Sequence, residues 1–333
     1  MPRHNYFLAV LFLFITLLTG CGSKEYYVPE STVGDWDSSG TLSGKIIDVT
    51  SDGAVLDSGE IMTTKALIKA SLTPQHRFLS FSDGWVVSST SDGNVSLKAM
   101  EAPKAGIEFE LKKTVAAASV KDDILAVLFA NNEMAIYSLA SKELLFKEQG
   151  TAPIAVDSRV QNPYFMQDLV LFLTLDGKIV IVNTEAKKVI RSMIVSSESY
   201  FNNITHFNVI GNTLIAATPY NIFSLGAKEV RESYELRDMV FKDDVIYICT
   251  KQGEIVSFTP SLQKIAAKKF QFAHFLGLIV TDNRVYALEK EGYLISLDKE
   301  LLAFKVYDVD IEDGYVFTAN KTFFVNDIFF KVK

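Results

Sequence analysis

The sequence predicts an all-β fold, a β-propeller of four-stranded blades, and three observations carry that expectation. Short apolar or alternating runs recur along the chain, each followed by a tight polar turn and a second such run. Turn residues 53, 93, 133, 177, 221, 253, 292 and 321 follow one another at intervals of 29 to 44 residues, and most intervals lie near 40. A repeat of about 40 residues built from β-hairpins is the length of one propeller blade. The turns hold Asp92-Gly93, Asn131-Asn132, Asp176-Gly177, Gln252-Gly253 and Glu291-Gly292, residue types that accept the positive φ of a tight hairpin. No stretch keeps the 3.6-residue period of an amphipathic helix.

Taken in order, a weak run at 46–49 precedes the turn 51–53. Runs 85–89 and 95–97 flank 91–93, and runs 124–128 and 135–139 flank 131–133, with a third closing at 144–146. Further pairs are 169–173 with 179–182, 214–217 with 222–225, 245–249 with 255–258, 285–288 with 294–297, and 315–318 with 323–325. Seven of these copies are strong and the first is weak. The expectation is therefore seven blades, with eight as the alternative, and with strands between 44 and 67 completing the ring. The final run, 328–332, is expected to pair beside N-terminal strands, because an open propeller would expose two sheet edges.

Ahead of the repeats, Arg3 precedes an apolar run over 6–18, too short for the roughly 20 residues of a membrane-spanning helix. Leu18-Thr19-Gly20-Cys21 follows and resembles the lipobox of bacterial lipoproteins. That resemblance implies a signal peptide over 1–20, cleavage before Cys21, and acyl chains, palmitate among them, on Cys21. Several chains together anchor stably where one would not. Gly22, not Asp, follows the cysteine, which points to the outer membrane and its periplasmic face. Residues 21–42 are polar, with Pro29, Gly34 and Gly40, and read as a lipidated N-terminus and flexible tether leading to a propeller domain over 43–333.

The 333 residues carry a net charge of −7, and no basic stripe suggests nucleic acid. Aromatic residues make up 12 %, mostly Phe and Tyr, which favours strands. With Cys21 assigned to lipid, Cys249 has no partner for an internal disulfide. It lies in the apolar run 245–249 and reads as a buried, inert thiol.

The segment 136–146 (Ile-Tyr-Ser-Leu-Ala-Ser-Lys-Glu-Leu-Leu-Phe) resembles the repeat of quinoprotein-type (pyrroloquinoline-quinone-like) propellers. More worn copies occupy 181–190 and 295–304. Phe146 and Phe304 replace the blade-end Trp, and the turn glycine of that repeat is missing from these copies. The superfamily includes cofactor-dependent dehydrogenases and a non-enzymatic branch, the BamB-like lipoproteins of outer-membrane barrel assembly. This chain has no adjacent cysteines, so the resemblance implies the BamB-like branch: a scaffold that docks the barrel-assembly machinery, with no catalytic residue, cofactor or metal.

Chemistry-bearing motifs are sparse. His76, His206 and His274 are far apart in sequence, without zinc spacing, and no phosphate loop or nucleophile elbow occurs. Asp308, Asp310, Glu312 and Asp313 precede Gly314, but that Gly falls one place late for a calcium loop, so an exposed strand and turn is the reading. Asp122-Asp123 and Asp243-Asp244 are read as inter-strand turns. Aromatic residues at Tyr200, Phe201, Phe270, Phe272 and Phe275 either form an exposed patch or fill the spaces between blades. Two alternatives to the scaffold are a periplasmic ligand-binding or enzymatic propeller, which predicts polar groups clustered at one mouth of the ring, and a surface-exposed adhesin.

Overall fold

A computed structural model describes residues 25–64, 67–70, 72–100 and 105–333. The segment expected to be a signal peptide and the expected lipidation site Cys21 lie outside the described residues. The chain forms eight four-stranded antiparallel sheets. Blades 1 to 7 are continuous in sequence, over 46–68, 77–110, 115–149, 164–194, 206–233, 236–269 and 275–308. Blade 8 is composite: Val316–Ala319, Thr322–Val325 and Ile328–Lys331 supply three strands, and Gly40–Thr41 supplies the outermost. Gly40 pairs with Phe329 and Thr41 with Ile328, so the final run pairs beside an N-terminal strand as expected, but that strand comes from the segment read as tether and not from 44–67, which form blade 1.

The count of seven is corrected to eight. Blade 1 exists, but its strands run only four, four, three and two residues, too short to produce a strong alternating signal. The two outer turn anchors were also out of phase with the rest. Residues 51–53 and 320–321 join first to second strands, whereas the six between them join second to third strands.

Each blade is apolar on both faces, which is why strands such as Trp85–Ser89 are buried at every position. Among the described residues, eight apolar clusters form, each at the seam of two neighbouring blades. The turns between second and third strands and the links from each outer strand to the next inner strand share one end of the ring, here the upper face. These two sets of turns are tied together: Leu111 N, Val195 N, Phe270 N and Val309 N donate to the carbonyls of Gly93, Gly177, Gly253 and Gly292. At Gly253 φ is +75°, and an added Cβ would lie 2.2 Å from the Phe270 carbonyl oxygen, so the glycine is required by contact as well as by conformation. Where the repeat lacks this glycine, Asn132 takes φ +66° and lies fully buried, donating to Thr151 O and accepting from Leu175 N. In the segments 136–146, 181–190 and 295–304, where a turn glycine is missing, Lys142, Lys187 and Leu301 themselves adopt φ of 60°, 52° and 57°.

The described part of the segment read as a flexible tether, 25–42, is held to the propeller at Tyr27, at 33–36 and at 39–42. Val33 N donates to Val306 O and Trp36 N to Asp308 O, so the chain runs as a strap along the outer strand of blade 7. Tyr27 is buried edge-on against Phe270 and Tyr293, and Trp36 packs edge-on against Tyr286 and Tyr307. Backbone bonding and two anchoring rings hold what composition alone read as linker.

Candidate functional site at the upper mouth of the channel

Seven blades present an inner strand of four to seven residues, but blade 4 presents only Tyr164–Met166. The preceding link, 151–163, carries Pro153 and Pro163 and the polar run Asp157, Ser158, Arg159, Gln161 and Asn162. Proline donates no hydrogen bond, and in the polar run only Val160 packs against an apolar cluster, so a regular inner strand is disfavoured here. Side chains take over its bonding. Asn162 donates to Leu79 O and Ser51 Oγ at 3.1 Å each, and it accepts from Ala118 N at 3.1 Å. Gln161 donates to Thr205 O at 2.6 Å. Arg159 donates to Arg237 O, and Asn203 brackets Asp157 through both its side-chain atoms. One link therefore fastens to the inner strands or turns of blades 1, 2, 3 and 6 and to the link before blade 5.

At the upper end of this plug the Asp157 carboxylate and Arg159 guanidinium pair at 2.8 Å. Burial alone would push the Asp157 carboxyl up, but the hydrogen bonds and charge of Arg159 outweigh it and hold it below the usual range. Burial likewise opposes the Arg159 charge, and Asp157 restores it. Arg237 is in a different position: burial and then the nearby Arg159 charge both lower its pKa, and its Nε is buried with no hydrogen-bond partner. Lys251 Nζ sits 5.1 Å from the Tyr220 ring centroid, a cation–π contact. Together with His274, Phe201 and Leu236 these groups line a cavity of about 420 Å³.

The other sequence candidates separate into three sets. His206 and Asp238 come together, Nε2 to Oδ1 3.4 Å, with Asp238 also accepting from Leu278 N and Met239 N at 2.8 Å. His76 bonds Ser88, and His274 donates its backbone N–H to the buried Glu289 carboxylate at 2.9 Å. Among the described residues no three His, Cys, Asp or Glu side chains are placed to hold a metal ion. Cys249 is fully buried, and burial pushes its thiol well above the ordinary range, with the Asp238 charge adding to the effect. Asp122, Asp243 and Asp244 occupy inter-strand turns at positive φ, as read from the sequence.

The aromatic residues divide between both expectations. Phe270 and Phe275 are buried between blades, whereas Tyr200, Phe201 and Phe272 are 56 %, 43 % and 46 % exposed. With Ile154 and Val156, also exposed, these three lie in upper-face links, those between blades 3 and 4, 4 and 5, and 6 and 7. Arg159, Arg237 and Lys251 were not singled out from the sequence. Arg159 comes from the link before blade 4, whereas Arg237 and Lys251 both belong to blade 6, and the one signal for them was the long, proline-flanked polar link at 151–163.

No protein-family model matches the chain. The plasminogen-binding protein PgbB of Helicobacter pylori strain J99 is 28 % identical over 358 aligned positions, which cover 93 % of this chain and 66 % of that protein. The chain thus spans just under two thirds of the length of the relative it matches. Among solved structures, BamB from Moraxella catarrhalis superposes with a TM-score of 0.66 at 13 % identity, covering 88 % of this chain and 99 % of BamB. The C-terminal WD40 domain of Sif2 superposes with a TM-score of 0.63 at 10 % identity, covering 91 % of this chain and all of that domain. In fold, the chain is a BamB-like β-propeller.

Proposed function

We propose that the chain is a non-enzymatic, lipid-anchored scaffold whose upper face docks a protein partner. The observation that carries this reading is the set of exposed apolar side chains on upper-face links, Ile154, Tyr200, Phe201 and Phe272. Exposed apolar residues gathered on one face mark interaction surfaces, whereas isolated ones are ordinary. Two likenesses agree with a protein ligand: the fold of BamB, and a sequence relative whose name describes it as binding plasminogen. The partner proposed first is the barrel-assembly machinery, at the periplasmic face of the outer membrane. Cys21 is six residues ahead of the buried Tyr27. At no more than about 3.6 Å per residue, an acylated Cys21 would hold the seam of blades 6 and 7 within about 20 Å of the membrane.

The test is crosslinked affinity purification of the tagged protein from its native membranes, with Cys21→Ala and Phe201→Ser/Phe272→Ser variants as comparisons. Recovery of the barrel-assembly protein, lost in both comparisons, supports the reading. Plasminogen capture by intact cells, abolished by surface proteolysis, would instead assign the adhesin role. The absence of both would count against a docking scaffold.

A further inference from the structure

We propose that the upper mouth of the channel is a binding site for the carboxylate group of an organic acid. Three cations converge there, Arg159, Arg237 and Lys251, around the cavity of about 420 Å³. Only Arg159 is neutralised, by Asp157 at 2.8 Å. The Arg237 guanidinium makes no ion pair or hydrogen bond among the described residues, and its Nε is buried without a partner. Lys251 Nζ likewise makes no ion pair there and rests on the Tyr220 ring. The other nearby acid, Glu235, accepts a hydrogen bond from Gln252.

Leaving a guanidinium N–H buried and unpaired is unfavourable, and in a chain with a net charge of −7 acidic residues to pair with it are plentiful. The charges of Asp157 and Glu235 reach Arg237 without bonding to it, so three cations face two acids here, and a guanidinium left without a bonded partner beside a second unpaired cation is the arrangement expected of a site that accepts an anion. A planar carboxylate fits the guanidinium fork, with the ammonium as a second point of charge. Phe201 and Pro219 supply apolar wall beside the polar Ser158 and His274, with the buried Leu236 and Phe275 behind them, and this mixed lining suits an organic acid over a bare inorganic ion. The carboxylate belongs either to a free acid or to an acidic side chain of a docked protein. The site does not rest on the docking reading, since a free acid would occupy it with no partner present.

The experiment is titration calorimetry and thermal melting of the full chain in detergent at low salt. Its probes are 3-phenylpropionate, the peptide acetyl-Phe-Glu-Phe-amide, and their uncharged counterparts 3-phenylpropionamide and acetyl-Phe-Gln-Phe-amide. Saturable binding of an acid but not of its amide is expected. Arg237→Gln and Lys251→Gln should each weaken it by about tenfold or more, the loss expected for one charge-assisted hydrogen bond. Arg237→Gln removes an unpaired group that Arg159 repels, so its melting temperature should stay at or above that of the parent, and Lys251→Gln provides the same readout at an exposed position. Binding of phenylpropionate alone assigns a free acid, and preference for the peptide assigns a protein-borne carboxylate. No binding of either acid, equal binding of the amides, or binding unaffected by both substitutions would overturn the site while leaving the docking reading to its own test.

Discussion

Phe172 is fully buried at the seam of blades 3 and 4, with its ring stacked on Phe146 at 6.5 Å. Truncating it removes apolar contact from two blades at once, and neighbouring strands bonded on both sides cannot close the gap. Phe172→Ala should therefore destabilise the protein by about 3–5 kcal/mol in urea melts, and Phe172→Leu by less. Arg159 tests the plug in a different way. Arg159→Met keeps bulk but leaves Asp157 charged and without its ion-pair partner. The loss should be about 3 kcal/mol, the low end for a buried pair, because both side chains retain some contact with water. The sign of its pH dependence is also fixed. The Asp157 carboxyl is lowered in the folded state, so its stabilisation is present above the unfolded pKa and is lost as pH falls through the folded one. In Arg159→Met this acid-side loss should be smaller than in the parent. Neither residue could have been ranked from sequence in the same way: Phe172 sits in an apolar run at strand spacing, whereas Arg159 acquires its role through blades remote in sequence.

The strap shows at the scale of an element how backbone bonding escapes a reading of side chains. Residues 25–42 have no alternation because few of their side chains are buried, Tyr27 foremost, and much of the contact is N–H to carbonyl, as at Val33 and Trp36. Such bonds leave no trace in residue type. The strong blades were legible because both faces of each strand are buried, which writes long apolar runs. Blade 1 was obscured by strands of two to four residues. Tyr27 supplies the test of the strap. Burial, and then the charges of Glu289, Tyr293 and Glu30, push its phenol up to about 12. A folded pKa above the unfolded value near 10 means that its contribution is fully present below pH 10 and is lost as pH rises through 12. Protease nicking of the strap should increase over that interval, and Tyr27→Phe should remove the dependence while keeping the ring contacts.

For the whole molecule, the decisive feature is that the ring is closed by its own two ends. Blade 8 holds only two residues of the N-terminal strand, Gly40 and Thr41, against Phe329 and Ile328. A Cβ at Gly40 would meet the Phe329 ring at 2.9 Å, and φ there is +151°, so Gly40→Val should loosen closure specifically. Whether that matters elsewhere depends on cooperativity. If blades open independently, as in linear repeat arrays, damage at blade 8 stays local. A closed ring has no end from which to fray, so weakening one seam lowers the stability of all eight. Cys249 can read out the difference, since it is fully buried in blade 6, two blades from the closure, and its thiol is held protonated. In a Cys21→Ala background it is the single thiol of the chain. Gly40→Val should then speed its labelling by roughly 5- to 30-fold, the factor corresponding to about 1–2 kcal/mol of global stability. An unchanged rate would show that the blades of this propeller open one at a time.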